Sequence, residues 1–223
     1  MKFPHAAKGV SKIFSAEILS LIATITLGLA SLLAVITVGF ENVQDEIGFG
    51  TFGILMLVCM AAGSVILVVG AILNIIGYIQ TARDEDGFKR AIICFILSFV
   101  CSFVAAFFTN YTGFLGWLST ALNAVSGVLQ LLTFLFAIGG LMNLSGSCHR
   151  PDMVQKGATI LKVLAWTYIL YLLVLILTRV FRENVFNKTL AATFSVIVIL
   201  LSIVQYILYL SYLAQAKRML REN

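Results

Sequence analysis

Charge disappears from this chain over long stretches. Residues 18–40, 47–82, 91–149 and 189–216 contain no Asp, Glu, Lys or Arg, and 163–178 is a shorter stretch of the same kind. A helix rises about 1.5 Å per residue, so about 20 apolar residues cross a hydrocarbon core about 30 Å thick. The stretch 91–149 is too long for one crossing and must turn, and Thr109-Asn110-Tyr111-Thr112-Gly113 is its only polar, turn-forming cluster. The pattern predicts six transmembrane helices near 16–39, 52–80, 90–109, 115–143, 158–180 and 189–214, in one domain covering 1–223. The stretches are continuously apolar rather than alternating, which favours helices over barrel strands, since lipid requires each backbone group to be satisfied within its segment. Both prolines, Pro4 and Pro151, fall outside these stretches and leave the spans unkinked. The expected fold class is therefore all-α, a polytopic membrane bundle of six transmembrane helices.

Pentapeptides at corresponding places suggest that the bundle repeats a helical hairpin three times. Glu17-Ile-Leu-Ser-Leu, Phe95-Ile-Leu-Ser-Phe and Lys162-Val-Leu-Ala-Trp each follow a basic residue at Lys12, Arg90 or Lys156. Parallel repeats of this kind build transporter-like bundles.

Within the apolar stretches, small and polar residues recur every three or four positions, so they share one face of each helix. The fourth helix carries Ser119, Asn123, Ser126, Gln130 and Thr133; the sixth carries Ser195, Ser202, Gln205, Tyr209 and Tyr212. On the second these positions are Gly63, Gly70, Asn74, Gly77 and Thr81, on the first Glu17, Ser20, Thr24 and Ser31, and on the third Cys94, Ser98, Cys101 and Ala105. These faces are expected to point inward. One reading is packing glue, in which small residues let backbones approach and hydroxyls bond across helices. The other is a polar cavity lined by Asn74, Ser119, Asn123, Ser126, Gln130, Thr133, Ser202, Gln205 and Tyr209, because the amides among them exceed what packing needs. Under it, Asn123, Ser126 and Gln130 are less lipid-exposed than Leu122, Leu129 and Phe136.

Composition then adds orientation. Twelve basic residues sit at the N-terminus, the second loop, the fourth loop side and the C-terminus, against Arg179, Arg182 and Lys188 on the other side, beside acidic Glu41, Asp45 and Glu46. The positive-inside rule makes the twelve-residue side cytoplasmic, with both termini there, and a bacterial cytoplasmic membrane is the expected location. The net charge of +5 is spread along one membrane face rather than clustered, so it reports topology and not nucleic-acid binding. The first apolar stretch, 23 residues long, exceeds the core of a cleavable signal, about 7 to 15 residues, and reads as a retained anchor.

Chemistry is sparse. Two histidines, His5 and His149, and four scattered cysteines make neither a metal site nor a disulfide framework, so no cofactor is expected. No residue set has the pattern of an activated nucleophile, and an enzyme is not expected. Arg83-Asp84-Glu85-Asp86 reads as a solvated loop. Glu17 and Lys162, at equivalent places in the hairpin alignment, are a candidate intramembrane ion pair. The expected partners are the lipid bilayer, a small polar or amphipathic solute, and other membrane subunits. Two functions remain open: a solute-binding or transport component without its own nucleotide-binding domain, and a non-catalytic accessory or assembly subunit of a larger membrane complex.

Overall fold

The computed structural model describes residues 2–43, 46–109, 111, 113–180 and 185–222, and their side chains except for 36–43, 46–51, 171–180, 185–196, 198 and 199. Asp45, Asn110, Thr112, Arg182 and the side chain of Ser195 therefore lie outside the described residues. Among the described residues the fold is all-α, six helices in chain order: α1 (Pro4–Val43), α2 (Glu46–Thr81), α3 (Gly87–Phe108), α4 (Phe114–Ser147), α5 (Pro151–Val180) and α6 (Val185–Glu222). Among the described residues four segments, Pro4–Val35, Phe52–Thr81, Gly87–Phe108 and Phe114–Ser147, are long and apolar enough to cross a bilayer. The chain is an integral membrane protein of the helical-bundle class.

Local sequence explains where helices start and stop. Each proline stands at the first position of a helix, α1 or α5, where its missing N–H has no intrahelical partner to lose. Gly113, at φ 72°, turns the chain into α4. At the other end of α4, His149 takes the left-handed conformation at φ 58°. The His149 amide donates to Gly146 O at 3.0 Å and the Arg150 amide to Ser145 O at 3.0 Å, the paired bonds of a Schellman stop.

The six helices form three antiparallel hairpins, α1–α2, α3–α4 and α5–α6. In the first, Gly9, Ala16, Ala23 and Ala30 recur every seven residues on α1 and face Gly77, Gly70 and Gly63 on α2. A Cβ on Gly77 would lie 2.6 Å from Ile13 Cγ1 and 2.9 Å from Gly9 O, so the two backbones nearly touch. The second hairpin repeats the device with Ala91, Ser98 and Ala105 on α3 against Ser119, Ser126, Thr133 and Gly140 on α4. There Ser119 Oγ donates to Ala105 O at 3.0 Å, and Ser126 Oγ donates to Ser98 O at 2.9 Å and meets Ser102 Oγ at 2.6 Å.

Large buried side chains gather at one end, where the chain termini and the α2–α3 and α4–α5 connections lie. Val10 and Ile13, Tyr78, Phe88, Ile138, Leu141 and Leu144, Met153, Tyr212, Leu213 and Leu220 form that core, with one or more residues from every helix. Polar straps surround it. Asp84 Oδ2 accepts the Ala6 amide at 2.7 Å, capping α1, whose own preceding residue, Phe3, has no side-chain acceptor. Asn143 donates to Glu85 Oε1 at 3.0 Å and Lys2 Nζ to Ser147 O at 3.0 Å. The acidic loop expected to be merely solvated is thus a structural strap. On its outer side, Asp86 pairs with Lys89 at 2.6 Å, which holds its carboxyl below the usual range, and the Arg150 hydrogen bonds do the same for Asp152. Both pairs are exposed and add little stability.

Candidate functional site

Two polar places stand out against this apolar frame. The first is a buried carboxylate. Glu17 follows Ala16 in the α1 seam, and the close approach permitted by Gly70 carries its side chain inward to 6% exposure. Asn74, four residues along α2 from Gly70, is 5% exposed and donates from Nδ2 to Glu17 Oε1 at 3.3 Å. From α6 the Tyr206 hydroxyl donates to the Glu17 carbonyl at 2.6 Å and lies 3.2 Å from Oε2. Tyr209, one turn further, sits within electrostatic reach of Glu17, Tyr78 and Tyr206. Among the described residues, the buried oxygens Asn74 Oδ1 and Tyr209 Oη close no hydrogen bond of ordinary geometry.

The second place is a cleft of about 280 Å³ between α4, α5 and α6. Its wall is mainly Leu131, Phe134 and Leu164, and its polar groups are Gln130, Thr167, Tyr168, Ser202 and Gln205. Gly127 keeps the α4 side open, since a Cβ there would meet nothing within 4 Å. The Phe134 ring packs edge-on against Tyr209 at 5.2 Å between centroids. Gln205 and Tyr206 are consecutive, so one turn of α6 serves both places.

The nine residues assigned to one polar cavity are therefore distributed. Gln130, Ser202 and Gln205 converge on the cleft, with Tyr209 behind its Phe134 wall. Ser119 and Ser126 are spent in the α3–α4 seam, Thr133 bonds back to Leu129 O at 2.9 Å, and Asn74 belongs to the Glu17 cluster. Asn123 is exposed. Gln130, although it lines the cleft, is exposed too, whereas Leu122, Leu129 and Phe136 are half-buried, so of the three polar residues only Ser126 follows the expected order. The physical reason is the seam's period. Along most of α4 only α3 packs closely, so one residue per seven faces a partner, and positions four further on fall to the flank.

Glu17 and Lys162 are not brought together. Lys162 is exposed on α5, and among the described residues α1 packs against α2 and α6 and makes no contact with α5. Tyr206 of α6 stands where Lys162 was expected. Tyr206 was not among the residues singled out on α6, and the only signal that could have found it is its place beside Gln205, three residues before Tyr209.

Among the described residues no group of three or more His, Cys, Asp or Glu is placed to hold a metal ion. No protein-family model, no curated protein and no solved structure matches the chain.

Proposed function

We propose that this chain is a membrane-embedded, non-catalytic binding component for a small polar or amphipathic solute, which occupies the cleft between α4, α5 and α6. The observation that carries the reading is the convergence of Gln130 and Gln205 with Thr167 and Ser202 on an apolar-walled hollow of about 280 Å³. Ligand pockets combine apolar walls with a few placed polar groups at volumes from about 300 Å³ upwards. Amide groups at membrane depth are costly unless bonded, and a solute offering donors and acceptors supplies those bonds. The orientation that goes with this reading puts the packed end, with both termini and the twelve basic residues, in the cytoplasm.

The accessory-subunit alternative draws its support from the outer face of the α1–α2 hairpin. Leu29, Leu32, Val35, Ile54 and Leu57 are exposed there, a surface suited to lipid or to a larger complex.

Native mass spectrometry of the protein released from nanodiscs tests the choice. Wild type is expected to retain a small-molecule adduct that the double variant Gln130→Leu/Gln205→Leu loses, while Asn123→Leu, outside the cleft, keeps it. No adduct on wild type, or an adduct indifferent to the double variant, sinks the solute reading.

A further inference from the structure

We propose that Glu17 is a proton-binding site, protonated in the packed α1–α2–α6 cluster. Two unmet requirements coincide in one place. Glu17 is 6% exposed, and a buried carboxylate needs a counter-charge or a proton. Among the described residues the helices packed on α1 are α2 and α6, and the titratable side chains they turn towards Glu17 are Tyr78, Tyr206 and Tyr209, none of them cationic. Lys217 of α6 lies over the Phe14 ring at 5.1 Å, and among the described residues the ion pairs are Lys89–Asp86 and Arg150–Asp152. Lys12, five residues before Glu17, projects about 140° around α1 from it.

The second requirement is Asn74. Its amide nitrogen already donates to Glu17 Oε1, but its Oδ1 is buried without a hydrogen-bond partner. Against a carboxylate that oxygen has nothing to accept. Against a carboxylic acid it has a donor. With a proton on Oε2, its O–H can donate to Asn74 Oδ1 while Nδ2–H continues to donate to Oε1, so that the two side chains close an acid–amide pair. Tyr206 keeps its 2.6 Å bond to the Glu17 carbonyl throughout, so the proton is gained without breaking the tie to α6. One proton removes the uncompensated charge and satisfies the orphaned oxygen together.

Infrared spectroscopy of the purified full chain in nanodiscs reads the site directly. Wild type is expected to show the carbonyl band of a buried carboxylic acid at neutral pH, moving to lower frequency in deuterated buffer. Glu17→Gln should abolish the band, and Asn74→Leu, which removes the acceptor, should move it to higher frequency. Thermal midpoints of wild type should not depend on whether sodium or choline is the buffer cation. Absence of the band from wild type, or its persistence in Glu17→Gln, overturns the proposal. A rise in wild-type midpoint with sodium that Glu17→Gln lacks also overturns it, by making the ligand a metal ion. If Glu17→Gln fails to fold, Glu17→Asp, which keeps a carboxyl at the site, should shift the band, and an unshifted band overturns the proposal.

Discussion

The two ends of the bundle are built on different rules. At the end carrying the termini, large side chains are fully buried and all six helices contribute to one core. Along the rest of α1 to α4 the large apolar side chains face outward, among them Val35 at 74% exposure and Phe103 at 58%. Burial there falls on small seam residues such as Ala23, Ala30, Gly63, Ala105 and Ser119. Water drives large apolar side chains together, whereas lipid solvates them as well as protein does, leaving close backbone packing and interhelical hydrogen bonds to hold helices there. Helix lengths agree with this division. The 40 residues of α1 span about 60 Å, twice a hydrocarbon core, so part of the helix lies beyond it.

The largest expected effect comes from opening the packed core. Phe88 is fully buried against Tyr78 and Gly140, so Phe88→Ala should cost about 3 to 5 kcal/mol. Phe103→Ala, on the lipid-facing side of the same helix, should cost less than about 0.5 kcal/mol. Thermal unfolding in detergent compares them, and equal losses would erase the distinction between the ends. A smaller effect tests the seam. Gly77→Leu forces a side chain into Ile13 and the Gly9 backbone and should cost about 1 to 3 kcal/mol or more, while Gly28→Leu, with nothing within 4 Å, should be tolerated. A tolerated Gly77→Leu would mean that the first hairpin is not held by close backbone contact.

The same division accounts for what was legible in the sequence. Helices and their class were legible because the bilayer imposes a length on charge-free stretches. The Gly63, Gly70, Gly77 face of α2 was legible because glycine recurring every seven residues in a spanning helix marks a line of close backbone approach, and all three are buried as expected. The α1 half of that seam was missed, since Gly9, Ala16, Ala23 and Ala30 do not stand out in an apolar helix. Polar stripes misled in a specific way. On α1 the stripe fails outright, since Thr24 and Ser31 are exposed and bond back to their own helix, and elsewhere a stripe does not tell which neighbour a face meets, so Asn74 and Gln130, read as one site, serve the Glu17 cluster and the cleft separately. Lys162 was paired with Glu17 on hairpin symmetry, and symmetry carries no information about which helix α1 packs against.

The smallest effect concerns the loop that borders the packed end. Asp84 reaches from the α2–α3 connection to the N-terminus of α1, where the Ala6 amide would otherwise lack a partner and the helix dipole favours a negative charge. Losing a capping side chain costs about 1 kcal/mol. Asp84→Ala should lower stability by about that amount, and Glu85→Ala, which removes only an exposed bond to Asn143, by less. The local signature separates a cap from a general loss of stability. Hydrogen exchange at the amides of residues 5–8 should accelerate in Asp84→Ala while those of Ala23 to Ala30 stay protected, because the mid-helix is held by the seam with α2 and not by its cap. Uniform acceleration along α1 would instead make the helix one cooperative unit, in which the packed end and the seam rise and fall together.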